Sequence, residues 1–150
     1  MSQRRRGLLM IVGGLCILGA PLRLLAEPPP VLFAQLEEAQ RVLAEQGFVQ
    51  RGSPRYGVLD EYRETRLALR LQGGRPHILY GVCDADCDDL DLLLSAVDGT
   101  ELVSDSLPDD TPLIEYTPAS DTALILTVRM MACEVEPCGY GIIVLTGNEE

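Results

Sequence analysis

The sequence predicts a mainly β chain: an antiparallel sandwich or barrel of about seven to eight strands, preceded by one N-terminal α-helix. Three observations point there. After residue 50, apolar residues alternate with polar ones at a period of two. Turn-forming segments such as Gln72-Gly73-Gly74-Arg75 and Val97-Asp98-Gly99 interrupt that alternation. One stretch, residues 31–46, carries the helical period instead. The length of 150 residues suits one domain plus a targeting segment. A hydrophobic fraction of 47% argues against disorder, and 5% aromatics with no Trp calls for an aliphatic core.

Residues 1–26 read as a secretory signal peptide. Arg4, Arg5 and Arg6 form a positive start, Gly7 to Ala20 an apolar run, and Pro21 breaks it. That run is shorter than the ~20 residues a spanning helix needs. Cleavage is expected after Ala26. An uncleaved N-terminal anchor is the alternative, extended by Leu22, Leu24 and Leu25. Arg5-Arg6-Gly7-Leu8-Leu9 partly matches a twin-arginine export signal, but no Ser or Thr precedes the pair. Cys16 lacks a lipobox before it and is expected to leave with the leader.

Residues 27–50 form a Pro-rich spacer and an amphipathic helix. Pro28-Pro29-Pro30 is stiff, and Pro30 suits a first helical turn. The helix is expected over Val31–Gln46, with Leu32, Leu36, Ala39 and Leu43 as its apolar stripe and a Glu37–Arg41 pair on its surface. Gly47 stops it. The stripe is expected to pack on the domain; a partner-binding face is the alternative.

The sandwich domain occupies residues 51–150. Leu67, Leu69 and Leu71 mark a first strand, and Ile78, Tyr80 and Val82 a second. Leu90, Leu92, Leu94 and Ala96 mark a third, residues 101–105 a fourth and 112–117 a fifth. Leu124, Leu126, Val128 and Met130 mark a sixth, and Tyr140, Ile142 and Val144 a seventh.

Four cysteines follow the leader: Cys83, Cys87, Cys133 and Cys138. An even count in an exported chain reads as disulfides. Local pairing, Cys83–Cys87 and Cys133–Cys138, is expected because each short turn brings its own pair within bonding distance. Cross-pairing stays open if the two turns meet. A zinc site would need spacings closer to those of zinc ribbons, and the absence of C-x-x-C removes a thioredoxin-like role.

The charge is strongly acidic and uneven. The chain has 12 basic and 23 acidic side chains, a net −11, and every basic residue is Arg. Lysine chemistry of the Schiff-base and Walker types is therefore excluded, and nucleic acid is an unsuitable partner. Removing residues 1–26 deletes four Arg, leaving 8 basic against 23 acidic side chains, a net −15. Residues 27–75 are balanced, seven against seven, whereas residues 76–150 carry sixteen acids and only Arg129. That half would attract cations or basic partners.

Five carboxylates fall within Asp84–Asp91: Asp84, Asp86, Asp88, Asp89 and Asp91. If Val97-Asp98-Gly99 is a three-residue loop, Leu94 faces Leu102, Leu92 faces Ser104, and Asp91 lies outward opposite Asp105. A two-residue loop would bury Asp105 beside Leu92, so the first register is expected. Directly opposed carboxylates repel. A Ca²⁺ ion, which takes oxygen ligands at ~2.4 Å, would reverse that. The expected site joins Asp91 and Asp105 with some of Asp84, Asp86 and Asp88. No Gly stands where an EF-hand loop needs one. The alternative is a solvated acidic rim that protects an edge strand. Asp109 and Asp110, before Pro112, either join this patch or begin a turn. Glu134 and Glu136 are expected on the surface.

The segments His77-Ile-Leu-Tyr-Gly-Val-Cys-Asp, Asp89-Leu-Asp-Leu, Asp98-Gly99 and Asp121-Thr-Ala-Leu-Ile-Leu-Thr-Val-Arg resemble the bacterial pre-peptidase C-terminal domain over roughly residues 64–146. The resemblance implies a jelly-roll-like β-sandwich and an accessory role beside secreted peptidases. The four cysteines depart from the family pattern, and the Leu124 region lacks its Gly-Thr-Tyr.

An enzyme reading finds little support. His77 is the only histidine and is expected as an exposed strand residue. No serine sits in a G-x-S-x-G elbow, and seven Tyr and Phe are few for a sugar cleft. The expected function is an exported, non-catalytic interaction module of the periplasm or extracellular space, with an acidic, calcium-linked face. The alternatives are a structural envelope protein that engages a partner through the 31–46 helix, and an enzyme of unrecognised type. The partner is a protein or a cell-envelope component; a membrane enters only through an uncleaved leader.

Overall fold

The computed structural model describes residues 29–148. The expected leader, its cleavage site and Cys16 lie outside the described residues, as do Glu149 and Glu150.

Helix α1 spans Pro30–Glu45. Its stripe faces inward: Leu32, Leu36 and Leu43 are buried and Ala39 is half-buried. Gly47 ends it at φ +88°, a conformation that strains any residue with a Cβ. The N–H groups of Gly47 and Phe48 donate to the carbonyls of Ala44 (3.0 Å) and Leu43 (3.1 Å), and Phe48 packs into the same apolar cluster as Leu43. The expected Glu37–Arg41 pair does not form. Arg41 bonds Glu38 at 2.6 Å and Glu45 at 3.0 Å, because these carboxylates stand three before and four after it. All three side chains are well exposed, so the pairs add little stability.

Nine strands follow: β1 Val49–Gln50, β2 Arg55–Leu59, β3 Glu64–Leu71, β4 His77–Cys83, β5 Cys87–Ala96, β6 Glu101–Asp105, β7 Leu113–Tyr116, β8 Thr122–Cys133 and β9 Cys138–Thr146. They form two antiparallel sheets. In the first, β9 pairs with β1 and β2 on one side and with β4 on the other, and β7 is the far edge. The second has the order β3-β8-β5-β6. The orders 2-9-4-7 and 3-8-5-6 make a jelly-roll sandwich. The additions to the expected strands are β1 and β2. Gly52, Pro54 and Gly57 break the alternation there, and only pairing to β9 makes these residues strands.

Two apolar layers hold the fold. Between the sheets lie Leu79, Leu90, Leu92, Leu94, Leu126 and Val128, all fully buried. Beneath α1 lie Ile78, Val82, Ile143 and Leu145, packed on Leu32, Leu36 and Leu43. The strands β4 and β9 are therefore covered on both faces, which explains their nearly unbroken apolar runs Ile78–Val82 and Gly139–Leu145. By contrast β3 alternates, because only one of its faces is covered.

His77 corrects an expectation. It is 2% exposed rather than on the surface. Its Nδ1–H donates to the Arg75 carbonyl at 2.8 Å, and Nε2 accepts the Gln72 N–H at 3.3 Å, so the neutral ring ties the 72–76 turn to β4. Burial is the main cause that holds its pKa below the ordinary 6.5. The unfolded chain then binds a proton more readily than the folded one. This contribution to stability is present above about pH 6.5 and is lost as pH falls toward the folded value. Urea unfolding at about pH 7.5 and about pH 5.5 should show this loss in the native chain and not in His77→Asn. An equal pH response in both would remove the assignment.

Candidate functional site

Two disulfides build one end of the sandwich. Cys83–Cys87 joins the last residue of β4 to the first of β5, and Cys133–Cys138 the last of β8 to the first of β9. Each bridge thus spans the two sheets, with Cα–Cα separations of 5.8 and 5.9 Å. Because β4 neighbours β9 and β5 neighbours β8, the staples stand side by side, with Cys87 opposite Cys133. The local pairing expected from the spacing is the one present. Bridges of this kind belong to chains that fold in an oxidising compartment.

The turn between Cys83 and Cys87 carries the acidic cluster. Asp84 is half-buried, and its Oδ2 accepts the Gly139 N–H while its own N–H donates to the Gly139 carbonyl at 3.0 Å. A Cβ at Gly139 would stand 2.7 Å from that Oδ2 and 3.3 Å from Leu32 Cδ1, so glycine is what lets the turn and α1 close on β9. Asp86 and Asp88 are exposed. The 107–112 loop closes the corner from the other side. There the carbonyls of Asp109 and Asp110 accept the N–H groups of Leu90 (2.9 Å) and Cys83 (3.2 Å). Glu134 and Glu136 are exposed as expected.

The expected register of β5 and β6 is corrected. Leu94 faces Val103 rather than Leu102, and Leu92 faces Asp105 rather than Ser104. The register shifts between Leu94 and Ser95, where β6 carries one extra residue, Leu102. That bulge turns Asp105 inward. Its Oδ2 accepts the Leu113 N–H at 2.8 Å and Oδ1 the Leu107 N–H at 3.3 Å, so it holds the crossover from β6 to β7. Asp91 is opposite Arg129 rather than Asp105. Arg129 bonds Glu64 at 2.9 Å on its other side, so Glu64, Arg129 and Asp91 form a row of alternating charge across β3, β8 and β5.

The expected calcium ligands are thus divided among different tasks. Among the described residues, no group of three or more His, Cys, Asp or Glu side chains is placed to hold a metal ion. Two carboxylates still bear an electrostatic cost. Burial, then the charge of Asp109, raises the pKa of Asp89. Burial, then Asp89, raises that of Asp91, with Arg129 opposing. Oδ1 of Asp84 and Oδ1 of Asp89 are buried without a hydrogen-bond partner.

A second feature escaped the sequence reading. A groove of about 660 Å³ runs between α1 and the edge strand β7. Val31, Ala34, Ala39, Val42, Tyr80 and Leu113 supply most of its apolar wall. Val31 and Val42 are 43% and 40% exposed. The available signal was Val31, Ala34 and Val42, apolar residues that lie off the buried stripe of the helix. Beside the groove, burial, then the charges of Asp110 and Asp109, raises the Tyr80 pKa. The Gln35 Oε1, also at the wall, is buried without a partner.

No protein-family model matches the chain, and no curated protein is similar enough to it to count as a relative.

Proposed function

We propose that this chain is an exported, non-catalytic interaction module that works through the groove between α1 and β7. The observation that carries the reading is the groove itself: an open apolar channel beside an edge strand, walled mainly by Val31, Ala34, Val42 and Leu113. The two disulfides support export. The only histidine spends both ring nitrogens on backbone groups, which supports a non-catalytic role. The resemblance to pre-peptidase C-terminal domains adds the notion of an accessory module.

The test is site-specific photo-crosslinking in the exporting cell. A crosslinker at Ala34, in the groove, should give a discrete adduct. One at Ser104, exposed on β6, should give none. Equal labelling at both positions, or none at Ala34, would overturn the reading.

A calcium-linked corner is the second reading, favoured by the unpartnered Oδ1 atoms of Asp84 and Asp89. A bound ion stabilises the folded state by mass action. A thermal midpoint that rises with calcium concentration and falls with chelator supports it. A midpoint unmoved at millimolar calcium removes it and leaves these aspartates as backbone acceptors and surface charges.

A further inference from the structure

The space between the two sheets is closed unevenly along the side where the edge strands β2 and β3 meet. Residues of β2 that pair with inter-sheet residues of β9 face that space: Arg55 stands opposite Ile142, and Gly57 opposite Tyr140. At Gly57 the Tyr140 side chain fills the gap. It lies so close to the Gly57 backbone that no Cβ fits there, and its hydroxyl reaches Thr65 on β3. Beyond Tyr140, toward the 51–54 turn, the gap stays open. A slot of about 270 Å³ lies there, with Leu67, Leu69, Ile142 and Val144 as its apolar wall. Leu67, Leu69 and Val144 belong to the core between the sheets but are only half-buried.

Three arginines stand around this slot. Arg51, Arg55 and Arg70 line it, all three are exposed, and none forms an ion pair among the described residues. No acid lines it. Asp121 shares a neighbouring hollow with Arg70 but forms no ion pair with it, and accepts the Gly73 N–H at 2.9 Å. The acids of this edge, Asp60, Glu61 and Glu136, lie at the other end of β2, beyond Leu59, where Glu136 accepts the Glu61 N–H at 2.8 Å. Guanidinium groups bind carboxylate and phosphate oxygens through paired N–H donors, so the mouth of the slot selects an anion although the chain as a whole is acidic. Its size selects as well. A volume of 270 Å³ is below the ~300–1,000 Å³ of pockets that enclose a compact ligand. The slot therefore takes a slender apolar chain and leaves a charged end outside, among the arginines.

We propose that this slot binds an amphiphile with an anionic head and a slender apolar chain. Arg51, Arg55 and Arg70 hold its carboxylate or phosphate, and the chain lies between the sheets on Leu67, Leu69, Ile142 and Val144. The site is at the opposite edge of the first sheet from the groove beside α1, and it stands or falls independently of that groove. A free amphiphile and an anionic membrane lipid present the same chemistry to it. Each methylene buried adds affinity until the slot is full, and longer chains then gain nothing.

The experiment is isothermal titration calorimetry of the purified exported chain with alkanoates of increasing length, each below its micellar concentration. Decanoate should bind saturably, one per chain. Acetate, which lacks the apolar chain, and decyltrimethylammonium, which reverses the charge, should not bind. Affinity should rise about fourfold per methylene through the shorter alkanoates and then level off. Arg55→Gln and Arg70→Gln should each weaken decanoate binding about tenfold. Arg63→Gln, in the loop at the far end of β2 and β3, should bind as the native chain does. Should an arginine variant lose its native circular dichroism, the three probes and the length series on the native chain carry the test. Flotation with vesicles separates the two sources. Phosphatidylglycerol vesicles that carry the native chain and not Arg55→Gln, with phosphatidylcholine vesicles carrying neither, make the ligand a membrane lipid. Decanoate binding without flotation makes it a free amphiphile. The proposal is overturned by the absence of saturable decanoate binding, by equal binding of decyltrimethylammonium, or by unchanged affinity in both folded arginine variants.

Discussion

Leu32→Ala should lower the unfolding free energy by about 3 kcal/mol, the usual cost of truncating a fully buried leucine that its neighbours cannot replace. Leu32 is 0% exposed in the first turn of α1 and approaches the Gly139 backbone, where the Asp84 turn is also held. Its loss therefore opens a cavity where helix, sheet and disulfide corner meet. Val31→Ala, one residue away, should cost about 0.5 kcal/mol or less, because Val31 faces the groove. Urea unfolding of the two variants separates the cases. Equal small effects would mean that α1 does not seal the first sheet, and the groove would go with it.

Removing either disulfide as a Cys-to-Ala pair should cost about 2 kcal/mol, since cysteines four or five residues apart close only short loops in the unfolded chain. The bridges are adjacent, so their contributions need not add. The informative variant is the double removal. If each bridge holds the shared corner independently, the loss is about 4 kcal/mol; if both are needed as one clamp, the second removal costs less than the first, and if either suffices, it costs more. Denaturant unfolding with and without reductant, of the native chain and the three variants, measures this. A native chain insensitive to reductant in its unfolded baseline would contradict the pairing.

The helix, seven of the nine strands and both disulfides were legible because each is encoded locally. The stripe Leu32, Leu36, Ala39 and Leu43 has only one face to bury. The alternations at Leu67–Leu71 and Leu124–Met130 admit only a strand covered on one side. Cysteines four and five residues apart have little choice of partner once a turn lies between them. Short β1 and β2 escaped because their pattern is broken, and what defines them is the backbone of β9.

The candidate site was legible in composition and illegible in arrangement. The acid density at Asp84–Asp91 is real, yet the single extra residue Leu102 shifts β6 by one position and turns Asp105 from a surface ligand into an acceptor for Leu113. Side chains alternate across a sheet, so a one-residue slip exchanges inside for outside, and no local preference at Asp105 records it. His77 went inward for a related reason: its place at the end of β4 is set by the turn folded against it. The sequence by itself determined the helix, seven of the strands and the division of charge between the two halves, since these follow from spacing and count, and it favoured the local cysteine pairing over the crossed one. Tertiary structure alone decided which carboxylates meet, which of the possible cysteine pairings forms where the two turns stand side by side, and that a groove stays open beside α1. Those depend on which strands become neighbours, a choice made by burying apolar faces far apart in the chain.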